Sequence, residues 1–122
     1  KLLLEDVDGW NRWRQQNPAE AIDLSAADLG QADLVMADLS GANLAGARLV
    51  MANLKAADLR GAVLAGANLV GARLIGVDLV NADLRGADLR TAEDLTAEQL
   101  AETKGDRATR LPDNLAPPPS WS

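Results

Sequence analysis

The side chains most available for chemistry in this chain are carboxylates, of which there are 18 among 122 residues. Paired carboxylates can perform acid–base chemistry, but here they recur throughout the chain and single out no pair. Cysteine and histidine are absent, which excludes disulfides, a catalytic thiol, an imidazole base and the usual zinc sites. The serines therefore have no base partner, and Lys55 lacks an apolar pocket. We expect no catalytic residue, no metal ligand and no cofactor.

An internal repeat with a period of five residues determines how these side chains are positioned. Leucine is the constant residue, alanine usually stands two positions before it, and aspartate or asparagine stands one position before it. Glycine often follows two positions later, so the glycines mark turns and not a phosphate-binding loop. The predicted core leucines are Leu24, Leu29, Leu34, Leu39, Leu44, Leu49, Leu54, Leu59, Leu64, Leu69, Leu74, Leu79, Leu84 and Leu89.

A period of five is typical of neither a helix nor a strand. On a helix these leucines would spread around the whole cylinder, and on a flat strand they would alternate between the two faces. A chain that turns a corner in every pentad directs each leucine and alanine towards one axis, where successive coils cover one another. Glycine, aspartate and asparagine suit such corners. The repeat therefore predicts an all-β solenoid.

The A-(D/N)-L-x-x pattern resembles the pentapeptide-repeat family, and the resemblance covers residues 22 to about 91. It implies a right-handed quadrilateral β-helix with four pentads per coil, which gives about three and a half coils at the spacing of roughly 4.8 Å between β-strands. The domain organisation that we predict is an N-terminal helical cap at residues 1–21, the β-helix at 22–91, and a C-terminal helix with a proline-rich tail at 92–122.

Four pentads per coil would stack Asp38, Asp58 and Asp78 in one column on one face. Stacked charges at about 5 Å repel each other by ~1 kcal/mol per pair even in water. We expect backbone hydrogen bonds, the nearby Arg60 or a bound cation to relieve this repulsion. A turn-forming role for these aspartates is the simpler interpretation, because a calcium site requires more converging oxygens than one column offers.

The residues before the repeat are expected to close one end of the solenoid. Residues 2–16 have helical spacing of apolar side chains, and Pro18 disfavours helix in the residue before it. We predict an amphipathic helix that lays Trp10 and Trp13 over the first coil. The stretch from Trp10 to Pro18 resembles the segment that precedes the repeats in many family members. An aromatic platform for a ligand is the alternative interpretation.

The residues after the repeat are expected to close the other end. The register slips after Leu89, since Leu95 arrives six residues later. Thr96 and Gln99 fit a capping box, with Leu95 and Leu100 as its hydrophobic staple. We predict a short helix that ends near Gly105, followed by an extended tail held by Trp121.

The outward positions include apolar residues that would stack near one another. Soluble monomers usually avoid large exposed apolar strips, so we interpret these residues as a candidate contact for a protein partner or a homodimer, with scattered exposure as the alternative. The cap is a second candidate for self-association. The residues of the strip are Val35, Met36, Val50, Met51, Val70 and Ile75.

These features predict a non-enzymatic structural or protein-interaction module with an unidentified protein partner. The alternative is DNA mimicry, because some family members resemble duplex DNA and bind DNA gyrase in quinolone resistance. Residues 22–91 contain eight acidic and six basic side chains, a net charge of −2. The interspersed arginines and Lys55 would interrupt a phosphate-like surface. An enzymatic role would require a fused upstream domain.

Charge and hydropathy restrict the remaining partners. The net charge of −6 disfavours binding to nucleic acid, because a phosphate backbone is neutralised by lysine and arginine. No apolar run approaches membrane-spanning length, so membrane insertion is not expected, and residues 2–4 are too few for the core of a signal peptide. The pattern is typical of bacterial proteins, and the sequence leaves the localisation open, with the cytoplasm favoured. The periplasm and the thylakoid lumen are alternatives if a segment before Lys1 has been removed.

Overall fold

A computed structural model describes residues 2–121, and the repeat within them forms a solenoid with twenty residues in each coil. Single residues bridge in parallel to the residues twenty positions further on. Each face contributes one bridging residue per coil and, within the described chain, no longer strand. We number the faces in chain order. Face 1 contains residues 23, 43, 63, 83 and 104, face 2 contains 28, 48, 68, 88 and 110, face 3 contains 33, 53, 73 and 93, and face 4 contains 38, 58 and 78.

Each corner of the solenoid is a turn that starts at a leucine. At Leu59 the next residue but one, Gly61, has φ +67°, and the amide of Ala62 donates to the Leu59 carbonyl over 3.0 Å. A left-handed residue at this place is typical of a type II turn and explains the frequent glycine. Seven corners use another residue with φ between 57° and 63°, at Ala26, Gln31, Met36, Met51, Ala56, Asn81 and Thr91.

The aspartates and asparagines before the leucines hold these corners from outside. The Oδ1 atom of Asp58 accepts the amide of Arg60 over 3.1 Å, and the Oδ1 atom of Asn53 accepts the amide of Lys55 over 3.2 Å. Both side chains thus bind the backbone two residues further on, which is the local bond that makes these residue types favourable in turns.

The core is a narrow column of leucine and alanine along the solenoid axis. Leu24 lies in the first coil, which no earlier coil covers, and it is half-buried. The thirteen other repeat leucines are at most 4% exposed. Val77 takes the place of an inward alanine and is 3% exposed. Small and large side chains alternate along each inner face, so the interior is filled without aromatic rings.

Two helices precede the first coil: α1 is Leu2–Glu5 and α2 is Val7–Gln16. The single helix predicted for residues 2–16 is therefore wrong at Asp6. This residue has φ −159°, and its side chain accepts the amide of Gly9, so Asp6 begins a new helix as its N-cap. The ring centroids of Trp10 and Trp13 lie 5.6 Å apart.

Side chains of α2 take the place of a missing coil at the start of face 4. The Nε1 atom of Trp10 donates to the Asp38 carbonyl over 2.8 Å, and the Asp38 amide donates to Oδ1 of Asn11 over 2.8 Å. The Nη2 atom of Arg14 donates to the Ser40 carbonyl over 2.7 Å. In later coils, backbone groups of a neighbouring coil make these bonds. The N-terminal cap therefore pairs backbone groups that would otherwise have no partner.

The ladder continues beyond the repeat. Lys104 bridges to Asp83, and Arg110 bridges to Asp88, so faces 1 and 2 extend past residue 91, where the sequence pattern ends. The bridged residues are 21 positions apart for Asp83 and Lys104 and 22 positions apart for Asp88 and Arg110. The last coil therefore contains one and then two residues more than a coil of the repeat.

Helix α3, Ala97–Leu100, occupies the place of a fourth bridge on face 4. Thr96 and Gln99 form the predicted capping box. The helix ends at Leu100 and not near Gly105 as predicted. By Lys104 the chain has rejoined the ladder, since the Lys104 amide donates to the Ala82 carbonyl over 2.9 Å. Leu100 is fully buried, so it fills the core from a helix and not from a strand.

The tail ends in a short 3-10 helix, Pro119–Trp121. The Nε1 atom of Trp121 donates to the Thr103 carbonyl over 3.2 Å, and its ring lies against Gly105, where a side chain would collide with it. Trp121 therefore holds the tail against the last coil. Among residues 2–121, no helix has the length and apolar character needed to cross a membrane.

Candidate interaction surface

The stacked aspartates of face 4, Asp38, Asp58 and Asp78, are bound by other side chains of the protein. Asp38 accepts the hydroxyl of Ser40 over 2.7 Å, and Arg14 lies 3.9 Å from its carboxylate. Asp58 accepts two bonds from the guanidinium of Arg60, over 2.9 and 2.6 Å, and Arg60 also lies 3.9 Å from Asp78. Three groups were predicted to offset the repulsion between the stacked aspartates. The structure contains two of them, the backbone hydrogen bonds and Arg60, and it adds Arg14.

The column has no geometry of a metal site. Within the part of the chain that the structure describes, no three acidic side chains come together as metal ligands. The hydrogen bonds from Arg60 lower the pKa of Asp58 below its ordinary value. A low pKa keeps this carboxylate ionised and unsuitable as a proton donor near neutral pH.

Two further pairs repeat the arrangement of Asp58 and Arg60. Arg85 donates to both oxygens of Asp83 over 2.9 and 2.7 Å, and Arg90 donates to both oxygens of Asp88 over 3.0 and 2.7 Å. These bonds lower the pKa of each aspartate. In each pair the arginine stands two residues after the aspartate, so positive charge neutralises negative charge locally.

The predicted apolar strip is divided into two groups. One corner carries Val35, Met36 and Ile75, with Lys55 between Val35 and Ile75. The next corner carries Val50, Met51 and Val70, and these two valines are half-buried. Between the corners lie the polar outward residues of face 3, Asp33, Asn53, Arg73 and Glu93. A continuous strip does not form, and the homodimer expected through it stays a prediction.

Within the repeat, the sequence patterns missed two exposed apolar residues. Val63 is 37% exposed and Val80 is 39% exposed. Val63 occupies an outward position where aspartate or asparagine is usual, which was a signal available in the sequence. Val80 follows a core leucine, as Val35 does, but only the structure shows that Val80 lines the same cleft as Ile75, which is 48% exposed.

Ile75 and Val80 flank a cleft between the last row of face 4 and the C-terminal cap. The cleft has a volume of about 510 Å³. One wall is formed by residues 75–80, and the other includes residues of α3 and its approach. It exists because α3 leaves the path that a strand would follow. The last row of face 4, residues 75–80, therefore borders a cleft on the side where earlier rows pair with the next coil.

The backbone along this cleft is only partly paired. In the preceding coil the amide of Ala56 donates to Ile75, and the amide of Leu59 donates to Asp78, each over 2.9 Å. The corresponding amides one coil later belong to Gly76 and Leu79, and neither has a hydrogen-bond partner among residues 2–121. The cleft thus presents two open backbone donors.

Gln99 satisfies the acceptors beside these donors. Its Nε2 atom donates to the carbonyl of Val77 over 3.0 Å and to that of Leu74 over 2.8 Å. The side-chain amide replaces a backbone amide that a strand would have supplied at Val77. The last row of face 4 therefore has two unpaired backbone amides, those of Gly76 and Leu79, whereas the Val77 carbonyl between them is already bound by Gln99.

Acidic side chains line the cleft on both walls. They are Asp78, Asp94, Glu98 and Glu102. Arg60 is the cation near Asp78, and the three others form no ion pair with any residue of the described chain. The cleft consequently combines a negative field, two apolar side chains and two backbone donors.

Comparison with known proteins identifies related chains. The family model described as pentapeptide repeats matches residues 22–61 and 52–90, with eight copies. No curated protein sequence matches significantly.

Three solved structures of pentapeptide-repeat proteins are similar to this chain. Rfr23 from Cyanothece 51142 is 40% identical, with a TM-score of 0.43, over 76% of this chain and 66% of that protein. The protein alr5209 from Nostoc PCC 7120 is 32% identical, with a TM-score of 0.44, over 87% of each chain. HetL from Nostoc PCC 7120 is 28% identical, with a TM-score of 0.34, over 74% of this chain and 51% of that protein. The chain therefore spans slightly less than two thirds of Rfr23 and about half of HetL.

Proposed function

The chain belongs to the pentapeptide-repeat family, whose members form right-handed quadrilateral β-helices, and we propose that it is a non-enzymatic protein-interaction module. Proteins of this family are generally structural or interaction modules. The inward side chains of the repeat build the core, so binding depends on the outward side chains and on the two ends. The proposal places the binding surface at the cleft beside face 4.

One observation carries this proposal: Ile75 and Val80 are both exposed on the same cleft, where the ladder is interrupted. Single exposed apolar residues are ordinary on protein surfaces. Two that flank a concave site with unpaired backbone donors have the composition of a surface that a partner buries.

The repeat also supplies rigidity. On face 4 the amides of Leu39 and Leu59 donate to Asp58 and Asp78 of the next coil, and the amide of Asp58 donates back to Ala37. A partner that binds to such a scaffold orders few additional groups, and this lowers the entropic cost of association.

The ion pairs of the repeat argue against DNA mimicry. Arg60, Arg85 and Arg90 each neutralise an aspartate on the outer surface. A duplex-like surface requires an uninterrupted row of negative charges. We therefore expect no inhibition of DNA gyrase in a supercoiling assay at high protein concentration, and inhibition would favour the mimic.

The proposal is tested by affinity capture from the native cell extract with three forms of the protein. The double variant Ile75→Asp/Val80→Asp alters the cleft, and Val63→Asp is the matched control because it places aspartate where the repeat favours it. We expect the wild type and Val63→Asp to retain the same partner and the double variant to lose it. Equal retention by all three forms would contradict a binding role for the cleft. Circular dichroism verifies that each form is folded.

A further inference from the structure

We propose that the groove between the α1–α2 junction and the first coil binds an arginine side chain presented by a partner protein. Residues 4–8 of the cap line this groove on one side, and Asp33, Val35 and Met36 of the first coil line it on the other. The groove lies at the opposite end of the solenoid from the cleft beside α3, so the inference goes beyond the proposed function. It follows from unpaired backbone acceptors, negative charge and an apolar wall.

Two backbone carbonyls beside the groove have no donor. In the second coil the equivalent of Val35 is Lys55, whose carbonyl accepts the Met36 amide over 2.9 Å. The carbonyl of Val35 therefore points away from the second coil, towards the cap. The carbonyl of Asp33 has the same orientation, because its equivalent, Asn53, also accepts from the coil before it. Neither first-coil carbonyl accepts a hydrogen bond within residues 2–121.

The N-terminal cap shows which donor suits this kind of carbonyl. One corner later, the Nη2 atom of Arg14 donates to the Ser40 carbonyl over 2.7 Å. Ser40 follows a core leucine as Val35 does, so the two carbonyls are equivalent in the repeat. Within the described chain, the hydrogen bonds from α2 to the first coil reach only residues 36–40. A guanidinium from outside would supply at Val35 what Arg14 supplies at Ser40, and its further N–H groups would bind carboxylates nearby.

The charge around the groove selects a cation. Residues 2–38 contain eight acidic and two basic side chains, whereas residues 39–122 contain ten and nine. Glu5, Asp8 and Asp33 line the groove, and none of them forms an ion pair with any described residue. An anionic ligand would be repelled, and a basic one would be attracted and would associate faster.

Two exposed apolar side chains provide a wall for the methylene groups of the arginine. Leu4 is 54% exposed and Met36 is 65% exposed, and both line the groove. Long basic side chains bury their methylene groups on apolar surface while the charged head stays with polar groups. The volume of about 460 Å³ lies within the range of binding pockets, roughly 300–1,000 Å³.

The surroundings of the groove favour a protein segment over the free amino acid, and arginine over lysine. Leu2, on the same helix as Leu4, is 40% exposed and lies outside the lining of the groove. A free arginine would leave Leu2 exposed, whereas residues flanking an arginine in a partner would cover it. The planar guanidinium donates to several acceptors in a fixed geometry, which an ammonium group does not reproduce.

The test is an NMR titration of the isotope-labelled protein with the blocked peptide Gly-Leu-Arg-Leu-Gly. Matched peptides carry lysine or citrulline, a neutral analogue of arginine with a similar shape, and free arginine shows whether the flanking residues contribute. We expect the peptide to shift the amides of residues 4–8 and 33–36 and to leave those of residues 75–80 unchanged. The citrulline peptide and free arginine should bind about tenfold more weakly, and the lysine peptide about threefold more weakly.

Two methionine variants test the apolar wall. Met36 has φ +63° and Met51 has φ +61°, a conformation that glycine adopts without strain. Met36→Gly therefore removes the side chain from the groove without disturbing the corner, and Met51→Gly makes the same change outside the groove. We expect binding of the arginine peptide to weaken about tenfold in Met36→Gly and to stay unchanged in Met51→Gly.

Two charge variants test the carboxylates. One neutralises three carboxylates of the groove, and its control neutralises three at the C-terminal end. The groove variant is Glu5→Gln/Asp8→Asn/Asp33→Asn, and the control is Glu98→Gln/Glu102→Gln/Asp113→Asn. Asparagine at position 33 keeps the corner bond, as Asn53 does, and Asp6 is retained because it caps α2. We expect the groove variant to bind the arginine peptide about tenfold more weakly than the control does, and circular dichroism verifies that both are folded.

Several results would overturn the inference. They are equal weakening by the two methionine variants or by the two charge variants, binding of another probe as tight as that of the arginine peptide, and no shift at residues 33–36 with millimolar peptide. Sedimentation that shows a wild-type dimer, dissociated by Met36→Gly but not by Met51→Gly, would identify the occupant as a second copy and likewise overturn it. The proposed function is unaffected by these results, because its test depends on Ile75 and Val80 at the other end.

Discussion

The indole nitrogen of Trp10 donates a 2.8 Å hydrogen bond to the carbonyl oxygen of Asp38, at the position where an earlier coil would supply a backbone amide. The same helix pairs the Asp38 amide through Asn11. A solenoid needs caps because its terminal coils expose core and unpaired backbone. Here the N-terminal cap pairs one face through side chains, whereas the C-terminal cap leaves part of that same face open.

Loss of the Trp10 hydrogen bond is expected to destabilise the N-terminal end. The substitution Trp10→Phe keeps most of the ring packing but leaves the Asp38 carbonyl without its partner, which should lower the free energy of unfolding by about 1–3 kcal/mol. Urea denaturation measures the change. Trp13→Phe is the matched control, since the Trp13 indole nitrogen makes no hydrogen bond within residues 2–121. Equal losses for the two variants would show that the bond contributes nothing.

Replacement of a strained corner residue by glycine is expected to stabilise the solenoid. Ala56 has φ +58°, a conformation that is unfavourable for alanine by about 1–2 kcal/mol, and glycine removes this strain at some entropic cost. Ala56→Gly should therefore raise the free energy of unfolding by about 0.5–1 kcal/mol. The adjacent Ala57→Gly is the control, because Ala57 is buried and its methyl group would be lost. Destabilisation by both substitutions would refute the strain argument.

Alanine substitution at two corner glycines is expected to report mainly the backbone strain of the left-handed turn residue. A methyl group on Gly71 would approach the sulfur of Met51 to 2.5 Å, whereas one on Gly61 meets nothing within 4 Å. Both residues have positive φ, so Gly61→Ala reports the backbone strain alone, about 1–2 kcal/mol. Met51 is 55% exposed and its flexible thioether can move aside, so we expect similar losses of thermal stability for Gly71→Ala and Gly61→Ala. A clearly larger loss for Gly71→Ala, recovered in the double variant Gly71→Ala/Met51→Ala, would show that Met51 is held in place at this corner.

The arginine-bound aspartates are expected to make stability fall in acid. The hydrogen bonds from Arg60 are the largest cause of the lowered pKa of Asp58, so the folded protein releases this proton more readily than the unfolded chain. The associated stabilisation is fully present above the unfolded pKa, ordinarily 3.8, and is lost as pH falls through the lower folded pKa. Urea midpoints measured from pH 7 to pH 2 should decline in this range.

Asp58→Asn isolates this contribution. Asparagine keeps the acceptor for the amide of Arg60, as Asn53 does for Lys55, but it loses the charge. The variant should be less stable at pH 7 and show a shallower decline below pH 4. Asp28→Asn is the control because Asp28 has no ion pair in the described chain, and an identical change of slope in both variants would contradict the assignment to Arg60.

The amino-acid sequence by itself determined the coil. Leucine at every fifth position requires a corner in each pentad, because no helix or flat strand could bury fourteen such residues on one side. The glycines and aspartates at the corners follow from local backbone geometry, and so does the capping box of Thr96 and Gln99. These features depend on neighbours in the chain, which a sequence pattern records directly.

The tertiary structure alone decided where the surface features lie. The apolar side chains at two corners are separated by the polar residues of face 3, and the open amides of Gly76 and Leu79 arise where α3 leaves the ladder. Asn11 and Gln99 replace backbone partners more than twenty residues away. Such pairings depend on which coil edges stay uncovered and on the path of the inserted residues, and neither is encoded in the five-residue period.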